Sequence, residues 1–195
     1  MHDTLSQPSG IARIFPQDFQ LLYPLDTFYS LIEAPLPEVW AIPGEEVPEP
    51  YRSLLVHKRD MTPTLEAHHG DRIELRVLDR HLDGDAYSRL VDLTLISAGN
   101  VVEFGAIMID LALFPPVARE IVLQGHVPLG TILADYEIAH SSCPQAYIAV
   151  EPDVYIKEAL GVDNDARLYG RRNWLTTPSG QVLADILELL PPTAV

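Results

Sequence analysis

Three sets of residues in this sequence have the types and spacing to do chemistry. Glu66, His68 and His69 carry donor atoms suited to a metal ion. His140, Ser141, Ser142 and Cys143 place a base beside two hydroxyls and a thiol. Arg89, Arg171 and Arg172 fall in segments patterned like strands, and an arginine fixed on a strand can clamp a carboxylate with two parallel bonds. The first two sets read better as ordinary structure. Adjacent histidines at a helix end do not share a face, and no second cluster lies nearby, so no metal is expected. No nucleophile-elbow glycine pattern surrounds residues 140–143, which read as a loop. Arg171 and Arg172 are strand neighbours and point to opposite faces, so at most one can enter a given cavity. The other is expected in solvent. His57, close to a predicted helix, is read as a satisfied histidine.

Charge narrows what the arginines could bind. Thirteen Lys and Arg against 28 Asp and Glu give a formal net charge of -15. That disfavours nucleic acid and anionic membranes as partners. A small anion is repelled at long range too, so a buried cation would have to capture it locally. The chain has 195 residues, 47% of them hydrophobic, which suits one domain with an arm. Cys143 is the single cysteine, so no intrachain disulfide can form, and a reducing, cytoplasmic location is expected. The first ten residues lack the basic and apolar regions of a signal peptide. The most apolar stretch, residues 101–123, is interrupted by Glu103, Asp110, Pro115, Pro116, Arg119 and Glu120, so no membrane span is expected.

The elements that must position these groups follow from periodicity. Residues 1–53 hold eight of the 17 prolines and are expected to form an arm wrapping the domain, with residues 1–10 its loosest part. Within it, residues 19–32 suggest one or two short helices, with Asp26 able to cap the second. The folded domain, residues 54–195, is expected to open with a strand end. A helix follows, capped by Asp60 or Thr62 and stopped at Gly70. Ile73, Leu75 and Val77 alternate with Arg72, Glu74 and Arg76, which marks a half-buried strand. Two further strands follow across Asp83-Gly84-Asp85 and Ala98-Gly99-Asn100, forming an antiparallel meander. Helices are expected after Pro116, ending at Gly125, and after Pro128. Residues 146–158 are ambiguous between strand and helix. Two last strands flank the turn at Pro178-Ser179-Gly180. The fold class is therefore α+β, an antiparallel β-sheet with helices packed on one side and an extended Pro-rich N-terminal arm.

The run Leu168-Tyr169-Gly170-Arg171-Arg172-Asn173, a Ser-Gly turn, and a strand carrying Glu188 before Leu190-Pro191 resemble the C-terminal hairpin of chorismate lyases. Val127-Pro128-Leu129-Gly130, Asp60-Met61-Thr62 and Tyr87-Ser88-Arg89 occur in the matching order, so the resemblance covers about the last 70% of the chain. It implies a chorismate lyase-like fold with an enclosed cavity. The cavity would be lined by Met61, Arg89, the Leu129 backbone and Glu188, with Arg89 and Glu188 catalytic. Glu188 stands three residues before Pro191 where the resembled pattern has four, and one residue flips the face of a strand. Asp185 is the alternative, since Leu187 at the strict spacing could not handle a proton. Ala106 stands near a position where many such lyases carry arginine.

The implied activity is elimination of pyruvate from chorismate to give a hydroxybenzoate, 4-hydroxybenzoate above all, by a monomer that needs no cofactor. Two alternatives remain: an enzyme acting on another aromatic or enol-ether acid, and a module that binds such an acid without turning it over.

Overall fold

The protein is described here by a computed structural model covering residues 21–192. Seven strands form one antiparallel sheet: β1 (Val39–Ile42), β2 (Ile73–Asp83), β3 (Ala86–Leu95), β4 (Val101–Asp110), β5 (Ser141–Val150), β6 (Leu168–Thr176) and β7 (Val182–Leu190). Their spatial order is β1-β5-β6-β7-β4-β3-β2. Strands β2-β3-β4 and β5-β6-β7 are two runs of sequence-adjacent strands that meet where β4 pairs with β7, and β1 adds to the edge beside β5. The helices are α1 (Leu25–Leu31), α2 (Tyr51–Leu55), α3 (Met61–His69), α4 (Pro116–Gln124), α5 (Leu129–Asp135) and α6 (Val154–Leu160).

The expected α+β architecture is present, with the helical layer α2 to α5 packed on one sheet face. Leu54, Leu55 and Leu65 pack there against Leu75, Val91 and Leu93, while Ala118, Val122, Ile132 and Leu133 pack against Ile107 and Ile109. The other face carries a second apolar cluster. Leu25, Phe28 and Tyr29 of α1 and Ile156 and Leu160 of α6 meet Leu90, Phe104, Leu187 and Leu189. Strand β1 continues the sheet edge by pairing with β5. Residues 1–10 lie outside the described part of the chain. Among the described residues, no helix is long and apolar enough to cross a membrane.

Three local expectations need correction. Residues 51–55 form α2 and not a strand end, because Tyr51, Leu54 and Leu55 are buried at helical spacing. Residues 141–143 begin β5 and are not loop. Pro144 disguised the strand, and the register shifts between Pro144 and Ala146, where a bulge accommodates a residue that cannot donate to the ladder. Asp26 sits in the first turn of α1 and makes no capping hydrogen bond. The ambiguous residues 146–158 divide into the end of β5 and most of α6. Asp60 is the N-cap residue of α3, and Gly70 ends that helix at φ 65°, a conformation that favours glycine.

Candidate functional site

Strand phase decides which side chains meet on the helix-covered face. Tyr87, Arg89, Val91 and Leu93 share that face of β3, while Leu90 points into the opposite cluster. Across the sheet, Val91 pairs with Gly105, Gly105 with Glu188, and Glu188 with Arg171. One step along the strands, Arg89 pairs with Ile107, Ile107 with Ile186, and Ile186 with Asn173. These rows form the floor of a cavity roofed by the starts of α3 and α5. Met61, Arg89, Leu129 and Glu188 all line it, joined by Glu103 and Arg171. Glu188 faces this cavity, whereas Asp185 lies on the opposite sheet face with Arg172. The Ala106 side chain belongs to the apolar cluster behind the sheet.

The four charged groups on the floor are buried but unequal. Arg171 is fully buried, and its guanidinium donates to Glu188 and to the carbonyls of Leu55 (3.4 Å), His57 (3.2 Å) and Arg59 (3.2 Å). It therefore pins the segment leading into α3 onto the sheet. Burial works against the Arg171 charge, but Glu188 and then Glu103 outweigh it and hold its pKa above the ordinary value. Arg89 is only 2% exposed, and its Nε and Nη1 are buried with no hydrogen-bond partner among the described residues. Burial pulls its pKa down to about 10, so it remains a cation at neutral pH.

Glu103 is 5% exposed, and its Oε2 also lacks a partner. Burial, then the charge of Glu188, push its carboxyl well above 4.5, and Arg171 opposes them incompletely. Two cations, Arg89 and Arg171, and two carboxyls, Glu103 and Glu188, therefore share this buried floor. The raised Glu103 carboxyl has a consequence for stability. The unfolded chain releases that proton near 4.5 while the folded state keeps it, so raising the pH through this window favours unfolding. Glu103→Gln cannot ionise. Its stability advantage over the unsubstituted protein is expected to grow as the pH rises above the ordinary carboxylate range, read from urea midpoints. An unchanging difference would contradict a proton held on Glu103.

The remaining chemistry-bearing residues lie elsewhere. Arg172, the arginine turned away from the cavity, was expected in solvent and is instead buried. It is 7% exposed, donates to Asp185 at 3.0 and 2.6 Å, and stacks over Tyr23 with its charge 5.1 Å from the ring centre. Asp185 also accepts from the Trp174 indole at 2.8 Å, so this fallback carboxylate serves the opposite face. His140 contacts Asp60 at 3.1 Å, linking the start of β5 to the start of α3. The Cys143 sulfur lies 3.8 Å from the Thr176 hydroxyl. His57 is half-buried: its Nδ1 accepts from the Arg59 amide at 3.1 Å and lies 3.3 Å from the Arg171 guanidinium, while its Nε2 has no partner among the described residues. Burial and then Arg171 lower its pKa below 6.5. Glu66 accepts from the Ile73 amide at 3.0 Å, and among the described residues no three His, Cys, Asp or Glu side chains gather as a metal-binding group.

Sequence reasoning missed Glu103. The signal was there: it is the one charged residue between Val101 and Ile109 of an apolar strand, in phase with Gly105, Ile107 and Ile109. A carboxyl kept on the buried face of such a strand calls for a reason.

Comparison with known proteins identifies the fold. No known family pattern and no curated protein matches the chain. The solved structure of PhnF from Mycobacterium smegmatis is similar, at 12% identity and a TM-score of 0.52, over 88% of this chain and 94% of that one. Its effector domain, solved separately, is similar at 12% identity and the same TM-score of 0.52, over 67% of this chain and 87% of that one. At such low identity the likeness concerns architecture, and it places this chain in the α+β fold that these proteins share with chorismate lyases.

Proposed function

We propose that the protein binds a small aromatic or pre-aromatic carboxylic acid in this cavity, with the ligand carboxylate on Arg89. The observation that carries this reading is the Arg89 guanidinium, a buried cation with two nitrogens lacking partners. Burying an unpaired charge is costly, and a carboxylate is the group whose two oxygens match an arginine's paired N–H bonds. Met61 and Leu129 supply apolar wall for a ring. The likeness to an effector domain agrees with ligand binding as the role. Titration of 4-hydroxybenzoate, followed by calorimetry, tests it directly. Saturable one-site binding supports the proposal, and no heat at millimolar ligand counts against it. Because all the donors belong to the chain, affinity is expected to survive exhaustive chelation. A loss restored by zinc or magnesium would revive Glu66, His68 and His69.

A second reading, turnover of chorismate, is favoured by one specific feature: two buried carboxyls, Glu103 and Glu188, beside the cation. Elimination breaks the bond between the ring and the enolpyruvyl oxygen and removes the C4 hydrogen. That hydrogen ends on the enolpyruvyl methylene carbon, giving pyruvate and an aromatic hydroxybenzoate with no oxidant consumed. Arg89 would orient the substrate by a carboxylate, Glu188 with Arg171 would present fixed charge to the ring hydroxyl, and the apolar wall would exclude water. Purified protein mixed with chorismate, with pyruvate measured by a coupled assay, separates the readings. Pyruvate release above the uncatalysed rate, abolished by Arg89→Leu, makes the protein a lyase. Tight hydroxybenzoate binding without pyruvate makes it a binding module.

A further inference from the structure

Arg89 and Glu103 mark two ends of the cavity floor. Arg89 pairs with Ile107, and Glu103 lies four residues before Ile107 on the same strand. Four residues of extended chain keep side chains on one face and separate the two positions by about 13 Å along the strand. Both side chains stand on the cavity face of the sheet, at opposite ends of its floor. Midway lies Gly105. A Cβ there would stand 2.9 Å from the Leu187 carbonyl oxygen and 3.4 Å from Glu103 Oε1. The bare glycine keeps the floor flat, and the Glu103 carboxyl folds back over it toward the cavity centre.

The two carboxyls on this floor are not equivalent. Glu188 is bound by Arg171, which also holds three backbone carbonyls. Glu103 has a buried oxygen with no partner among the described residues and lies beside a second buried carboxyl. Two such carboxyls cannot both ionise cheaply, and the one without its own cation keeps the proton. A buried hydroxyl donor with nothing to donate to rejects a ligand that leaves it so.

We propose that Glu103 is a specificity-determining residue, a hydrogen-bond donor that selects carboxylic acids carrying an oxygen acceptor at the end away from the carboxylate. This rests on the carboxylate-binding reading of Arg89. It disfavours the simple aromatic acid, and it gives the cavity a polarity, with the anion at Arg89 and the acceptor at Glu103.

The experiment titrates 4-hydroxybenzoate and benzoate into the full chain and into Glu103→Gln and Glu103→Leu, with circular dichroism confirming that each variant is folded. The unsubstituted protein should prefer 4-hydroxybenzoate by about 10- to 100-fold. Glu103→Gln should keep most of that preference, because its amide also donates. Glu103→Leu should lose it while binding benzoate at least as well as before. A preference that survives in Glu103→Leu, or an equal weakening of both acids, overturns the assignment of Glu103 and leaves Arg89 as the carboxylate site. If the unsubstituted protein binds neither acid, the Arg89 reading falls and this inference falls with it.

Discussion

Arg171→Ala is expected to destabilise the protein by about 3–5 kcal/mol, a large share of the roughly 5–15 kcal/mol that holds a domain together. The reason lies in what the substitution leaves behind. Glu188, 4% exposed, would lose its counter-charge, and the carbonyls of Leu55, His57 and Arg59 would lose their donor. A single buried partner removed costs more than the pair is worth, because the survivor cannot be solvated. Arg171→Met combined with Glu188→Leu should therefore recover much of the loss, since neither charge remains. Urea denaturation of the two single variants and the double variant gives the answer. A loss under about 1 kcal/mol for Arg171→Ala would mean that the ion pair is relieved by water and that the segment ahead of α3 is held by other contacts.

Arg89→Leu should behave in the opposite way, weakening ligand binding while strengthening the free fold. Truncating one partner of a buried, hydrogen-bonded charge pair costs about 2–5 kcal/mol, so 4-hydroxybenzoate affinity should fall by at least about a hundredfold. Arg89→Lys should recover only part, because a point charge cannot form the two parallel bonds. The free protein carries the unsatisfied cation at a cost. Burial pulls the guanidinium pKa down from its ordinary value to about 10, which corresponds to a destabilisation on the order of a few kcal/mol at neutral pH. The sign follows from the lowered folded value. The cost is borne in full below about pH 10 and fades only as the pH approaches the ordinary guanidinium range. Arg89→Leu removes that charge and should raise the melting temperature of the ligand-free protein, while ligand should no longer raise it further. Equal affinities for the two chains would make Arg89 an ordinary strand residue.

Much of this was legible in the sequence wherever a residue's neighbours repeat a simple period. The start of strand β2 alternates, β3 and β4 are apolar runs of strand length, and glycine or asparagine marks the turns between them, so the meander could be read directly. The phase of Tyr87, Arg89, Val91 and Leu93 then places Arg89 among buried residues. What escaped depended on contacts distant in sequence. Strand β1 exists because β5 offers it an edge, and its four residues have no signal of their own. Strand β5 was hidden by Pro144, whose missing donor is absorbed by a bulge visible only beside β6. Whether Glu188 or Asp185 faces the cavity hung on a shift of one residue. The register of β7 against β4 settles it, pairing Glu188 with Gly105 and Asp185 with Met108. Arg172 looked solvated because nothing local announces Asp185, Trp174 and Tyr23 as its surroundings. Glu103 was taken only as an interruption in an apolar run, and its partners across the sheet give it meaning.

The central claim is that Arg89 holds a ligand carboxylate inside the cavity. An experimental structure of the full chain with 4-hydroxybenzoate tests it most directly. The account predicts the carboxylate oxygens within about 2.7–3.2 Å of Arg89 Nε and Nη1, with the ring between Met61 and Leu129. A ligand seated elsewhere, or one in the cavity whose carboxylate turns away from Arg89, would contradict it.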